Sequence, residues 1–220
     1  MGSAQQKRER GERTRVRILE AAEAHFSEEG YAATRLEDIA ESVGVRRAAL
    51  FYYFRGKREL YLAVLENLFG GLLEKIQAVL QTPAPLPQRL EAAISTWVTY
   101  VGKRPSLAKI LLREGAKISP ERRPDVQRLA APFVTAIREI FAEGVHEGHF
   151  RQPPMDPFHF LSTIVGATVF FVAVIPTFVA NLGFDPSSAE HLEAHRREMF
   201  TITRRLLGIG APRVVRTGQE

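Results

Sequence analysis

From Thr14 to Leu207 the apolar residues recur at intervals of three and four, and no run alternates with period two over the length of a strand. A helix carries residues at those intervals on one face, whereas a strand changes face at every step. The expected fold class is therefore all-α. With 45% apolar residues in a chain of 220, there is enough material to bury a sizeable core.

The helices are punctuated by their own start and stop signals. A first helix is expected over about Thr14–Ser27, with Ile18, Leu19, Ala22 and Phe26 on its inner face and Gly30 placed to end it. Thr34 to Glu37, "TRLE", has the form of a capping box opening a second helix that stops at Gly44. A third helix fits Arg46–Phe54, and on its wheel Leu50 and Phe54 point inward while Ala48 and Tyr52 lie opposite, with Ala49, Phe51 and Tyr53 at the flanks. Two short helices joined by a tight glycine turn make a helix-turn-helix arrangement in which the later helix is the reader. Further helices are expected over 57–80, 88–102, 105–113, 120–146 with a kink or division near Pro124 or Pro132, 157–182 and 188–207. Asp156 and a "SSAE" box at Ser187–Glu190 cap the last two. The tail after Gly208 is expected to be frayed.

Charge sharpens the reading of that third helix. Residues 1–17 hold six basic and two acidic side chains, residues 43–58 hold five basic and no acidic ones, and residues 18–42 between them are acidic on balance. Two short cationic patches suit a polyanion such as nucleic acid or anionic lipid. Arg46 and Arg47 stand at a helix N-terminus, where the dipole penalises a cation by about 0.3–1 kcal/mol. An arginine there can instead grip guanine in a bidentate pair, while Lys57 can neutralise a phosphate and the small Ala48 and Ala49 let the backbone approach the groove.

Residues 14–65, "TRVRILEAAEAHFSEEGYAATRLEDIAESVGVRRAALFYYFRGKRELYLAVL", resemble the DNA-binding region of TetR-family transcriptional regulators, in one register across about fifty positions. The resemblance implies a helix-turn-helix DNA-binding domain with a basic arm over 1–56, a helical ligand-binding and dimerisation domain over 57–210, and a tail over 211–220. It implies a homodimer on double-stranded operator DNA, released by a small-molecule effector. It also assigns Arg46, Arg47, Ala48, Ala49 and Tyr52 to the major groove, Tyr53 and Lys57 to phosphates, and Thr34 to the cap of the second helix, and it counts Thr34 with the others as a DNA-binding residue. Phe51 departs from the tyrosine usual at its position in the family, and Gly56 from a polar cap.

The other features are weighed against that frame. Residues 157–184 contain no Asp, Glu, Lys or Arg over 28 positions, the length of a membrane span, and the alternative reading is a single-span or membrane-associated protein. The polar residues inside the run and its acidic flanks favour a helix buried in a dimer, with helices 157–182 and 188–207 pairing across the two-fold axis and no membrane partner. Ligand-pocket candidates are the aromatics Trp97, Tyr100, Phe133, Phe141, Phe170 and Phe171, and a mostly apolar effector follows from them. Lys109 and Arg113 are expected in solvent. The histidine pairs His146/His149 and His191/His195 have helical spacing but no further ligands nearby, so surface positions and no metal are expected. There is no cysteine, no signal-peptide run, and no G-x-S-x-G, H-E-x-x-H or P-loop. A cytoplasmic chain without catalytic residues or cofactor is the expectation.

Overall fold

The computed structural model describes residues 2–115, 118–150 and 154–209, and among these there is no strand. The expected tail over 211–220 lies outside the described residues. Helix α1 spans Gly2–Ala33 and buries Ile18, Leu19, Ala22 and Phe26. It starts well before Thr14, because residues 5–13 are mostly Gln, Lys, Arg and Glu, which are good helix formers but leave no apolar period to read. Helical geometry breaks at Gly30, whose φ of 84° and ψ of 164° suit glycine alone.

The expected capping box at Thr34–Glu37 does not form. Thr34 is buried and its Oγ1 donates to the Gly30 carbonyl at 2.9 Å, so its hydroxyl is spent on the preceding turn. Arg35, in extended conformation, takes the capping position of α2 (Leu36–Val43) without a side-chain bond. Glu37 turns to Arg47 instead, at 3.0 Å. Gly44 ends α2 at φ 70°, its N–H donating to the Glu41 carbonyl at 2.9 Å while Val45 N–H reaches Ala40 at 3.0 Å. Helix α3 follows over Arg47–Tyr53.

Helices α4 (Lys57–Leu80), α5 (Leu86–Lys103), α6 (Pro105–Gly115) and α7 (Arg123–His146) lie close to their expected limits. Pro124 sits in the first turn of α7, where a missing N–H costs nothing, and Pro132 is carried inside a helix that is not divided. The expected helix over 157–182 is broken. Helix α8 covers Pro157–Ala173, α9 Ile175–Phe178, and a 3₁₀ turn Ala180–Leu182. Pro176 explains the break: it lacks an N–H, and its ring clashes with the carbonyl four residues back. Among the described residues no helix is long and apolar enough to cross a membrane.

Asp156 caps α8 as its sequence suggests, accepting from Phe158 N–H at 2.9 Å and His159 N–H at 3.0 Å. The His159 N–H above all holds the Asp156 carboxyl below the usual carboxylate range. Helix α10 (Ala189–Leu207) is capped by Ser188 rather than Ser187, which is occupied with Asp185. Helix α1 packs on α2, α4 and α6, while α4, α5, α7 and α8 pack around one another and α10 leans on α5 and α8. One continuous core runs from Ile18 to Leu207.

Candidate nucleic-acid interface and ligand cavity

Helix α3 divides its residues as the wheel predicts. Leu50 and Phe54 are buried, with Arg15 of α1 5.3 Å over the Phe54 ring, and Tyr52 on the opposite side is 84% exposed. Arg46, Arg47 and Ala48 are exposed, and Ala49 and Tyr53 are half-buried at the edges of the outer face. Tyr53 is held edge-on to Tyr52, with ring centroids 5.0 Å apart. The Arg47 guanidinium lies 5.6 Å over the Phe51 ring, a packing that the phenyl provides without a hydroxyl. Its ion pair with Glu37 joins two half-exposed side chains and is worth at most about 1 kcal/mol, little obstacle to a better partner.

Two of the expected contact residues are tied elsewhere. Thr34 is buried, so its side chain sets the entry of α2 and offers nothing to a phosphate. Lys57 donates to the Ala32 carbonyl at 3.0 Å and lies 4.8 Å over the Tyr31 ring. Both contacts draw the ammonium toward the end of α1. Arg17 fixes the pair of short helices from behind, donating to the Val43 carbonyl at 2.7 Å. The exposed cations Lys7, Arg8, Arg10 and Arg13 extend the positive surface along α1 as helix, not as a loose arm.

The second feature is a cavity of about 270 Å³ between α4, α5, α6, α7 and α8. Its wall includes Phe69 and Leu72 from α4, Ile94 and Trp97 from α5, Leu111 from α6, Leu129 and Phe133 from α7, and Phe160 and Ile164 from α8. Of the six aromatics singled out in the sequence, Trp97 and Phe133 line it and four do not. Tyr100 donates to the Leu68 carbonyl at 2.9 Å, and Phe141 packs between Phe150 and Phe160. Phe170 is 47% exposed, and Phe171 stacks on His195 at 4.1 Å. The aliphatic wall residues carried no signal beyond helical period, which core and cavity residues share.

Lys109 and Arg113, expected in solvent, reach from α6 to α1: the ammonium pairs with the Glu28 carboxylate and the guanidinium donates to the Glu28 carbonyl. Glu23 of α1 is held by Arg104 at 2.6 Å and by the Ser106 hydroxyl. At the start of α7, Asp125 pairs with Arg58 of α4 at 2.6 Å. The same two helices, α6 and α7, wall the cavity through Leu111 and Val126. Cavity and reading head are thus joined by shared elements.

The histidines fall into separate roles. His146 is exposed, His149 lies 3.0 Å from Glu147, and His191 bonds Ser188 Oγ and the Asp185 carbonyl. His195, expected at the surface, is buried beside Thr168 with Nε2 and Oγ1 3.2 Å apart. No group of three or more metal-ligating side chains occurs among the described residues.

Residues 18–64 match the family model described as bacterial regulatory proteins, tetR family, and residues 85–202 match that of a tetracyclin repressor-like C-terminal domain. The chain is 29% identical over 149 residues to the HTH-type transcriptional repressor NicS of Pseudomonas putida, covering 66% of this chain and 69% of that protein. It is similar in fold to FadR from Bacillus subtilis, solved with stearoyl-CoA, at a TM-score of 0.68 and 20% identity over 88% of this chain and 98% of that one. AibR, solved with isovaleryl coenzyme A and operator DNA, gives a TM-score of 0.70 and 21% identity over 89% and 99%. With both family models matched in order along the sequence, this chain belongs to the TetR family of bacterial transcriptional regulators.

Proposed function

We infer that this regulator is a repressor that binds operator DNA as a homodimer through α3 and releases it when a small, mostly apolar molecule enters the cavity. The observation that carries the reading is the outer face of α3, where Arg46, Arg47 and the 84% exposed Tyr52 stand together on a helix locked from behind by Leu50 and Phe54. In this reading Arg46, Arg47, Ala48, Ala49 and Tyr52 meet base edges, and Tyr53 and Lys57 meet phosphates. Residues up to Gly56 form the reading head and those from Lys57 onward the effector and dimer part.

A second copy is the partner for α8. Phe158, Ser162, Gly166 and Phe170 form an exposed stripe along it, and Phe178 and Leu182 beyond the break are 75% and 78% exposed. Such a run of apolar surface is what an isologous contact covers. Two heads fixed in this way meet half-sites about 34 Å apart, or a multiple of that, on one side of the duplex.

The effector acts through the shared helices. An occupant that pushes Leu111 or Val126 displaces α6 and α7, and with them Glu23, Glu28 and Arg58, so the two heads lose their spacing. Only a difference in its affinity for the two spacings drives release, and about 5.5 kcal/mol takes a 1:99 balance to 99:1. The acyl-CoA ligands of FadR and AibR are consistent with an apolar chain in a cavity of this kind.

The test is selection of binding sites from a random-sequence DNA pool, followed by gel shifts on the enriched site. Arg47→Ala and Tyr52→Ala are expected to lose about 1–3 kcal/mol of preference for that site over random DNA. Lys57→Ala should weaken binding to both and flatten the salt dependence by about one unit of slope. Failure of the pool to enrich any sequence, or identical behaviour of the three variants, would overturn the assignment.

A further inference from the structure

Glu37 of α2 places a carboxylate against the cationic face of α3. Its Oε1 lies 3.0 Å from Arg47 Nη1, and its Oε2 lies 4.0 Å from Arg35 Nε. By charge alone an acid here opposes DNA, because it cancels a cation that could release a counterion and repels the approaching phosphates. An anion in the first turn of α2 does suit the helix dipole, but Asp38 at the next position already supplies one. Asp38 holds no cation among the described residues, so the two acids differ in one respect, the grip of Glu37 on an arginine.

That grip limits where the arginine can go. An arginine on an open face can reach phosphates beside the groove as readily as bases within it, and phosphate contacts carry no sequence information. The Arg47 guanidinium is held at Nη1 by the carboxylate and lies 5.6 Å over the Phe51 ring. Its Nε–Nη2 edge has no polar partner among the described residues, and two parallel N–H groups are what guanine O6 and N7 accept. The carboxylate beside it repels a phosphate but leaves that edge open to a base. Because both side chains are half-exposed the pair is weak, so it biases the direction of the guanidinium without locking it.

We propose that Glu37 is a positioning residue for sequence reading, whose carboxylate keeps Arg47 turned toward base edges and away from phosphates. The inference rests on the assignment of α3 to the major groove and adds to it the residue of α2 that sets its specificity. Glu37 thereby lowers affinity for DNA at large and raises discrimination.

The experiment compares binding to the enriched site and to random DNA by fluorescence anisotropy across a salt series. The proteins are the wild-type chain, Glu37→Gln, Arg47→Ala and the double variant. The preference, the ratio of random-DNA to site dissociation constants, is expected to fall about fivefold in Glu37→Gln, the most that a half-exposed pair supports. Binding to random DNA should tighten and its salt dependence steepen by about one unit of slope, as the freed Arg47 takes a phosphate. In the Arg47→Ala background, Glu37→Gln should leave the preference unchanged. Asp38→Asn removes a neighbouring charge that holds no arginine, and should keep the wild-type preference. Glu37→Asp keeps the charge at the start of α2 and draws the carboxylate back by one methylene, so it should lose part of the preference, and it serves as the test if Glu37→Gln folds poorly. Equal tightening on both DNAs in Glu37→Gln, the same loss of preference with and without Arg47, or as large a loss in Asp38→Asn would each mean a charge effect alone and overturn the proposal. Loss of preference in Arg47→Ala with none in the Glu37 variants would overturn it while leaving the reading of α3 intact. Wild-type preference in Arg47→Ala would sink both together.

Discussion

Replacing Phe26 by alanine is expected to remove about 3–5 kcal/mol of folding stability, a large share of the total for a chain of ordinary stability. The Phe26 ring is fully buried, lies 5.1 Å from Tyr61 at 88°, and stacks 6.1 Å from Tyr31. Tyr31 and Tyr61 in turn meet edge-on at 4.9 Å. The Arg122 guanidinium covers this trio, 4.1 Å from Tyr31 and 5.4 Å from Tyr61. Residues from α1, α4 and the lead-in to α7 therefore converge on one ring, and the surrounding aromatics are too rigid to collapse into the hole. Urea unfolding followed by circular dichroism checks the value. A loss under about 1 kcal/mol would mean that the joint relaxes far more freely than such a packed cluster should.

The second large effect is a dependence on pH. Burial lowers the His195 pKa from 6.5 to about 4, the ring being stacked on Phe171 with its Nε2 beside the neutral Thr168 hydroxyl. The unfolded chain therefore binds a proton at higher pH than the folded one. His195 contributes its full stability above pH 6.5, and that contribution is lost as pH falls from 6.5 to about 4. At about 1.4 kcal/mol per pH unit the loss reaches about 3 kcal/mol. His195→Gln keeps a donor for Thr168 but cannot titrate, so its stability at pH 5 relative to pH 7 should fall by less than that of the wild-type chain. Parallel stability profiles for the two proteins would show that the ring reaches water when protonated.

Much of the candidate interface was legible in the sequence because α3 is short, amphipathic and bounded by glycine. Leu50 and Phe54 went inside and Tyr52 outside as the wheel demands. Thr34 was misread for a local reason: a threonine near a helix start can bond forward into the helix or back to the previous turn. The φ of 84° at Gly30 placed its carbonyl within reach and decided the matter. Arg47 over Phe51 was out of reach of any pattern, since it depends on rotamers on an exposed face.

The cavity was less legible. All six nominated aromatics sit at sensible helical positions, yet only Trp97 and Phe133 reach it, because a cavity is made by the faces of several helices that meet far apart in sequence. The same is true of Lys109 and Arg113, which look like solvent residues until α1 is laid alongside α6. By itself the sequence determined the helical class, the outward face of α3 and the stops at Gly30 and Gly44, all set by neighbours within one or two turns. Only the tertiary structure decided which apolar side chains enclose a space, which cations bridge to the reading head, and that His195 and Trp97 Nε1–H are withdrawn from water. Those properties depend on how separate helices pack, and a periodic pattern fixes which face is apolar without fixing what lies against it.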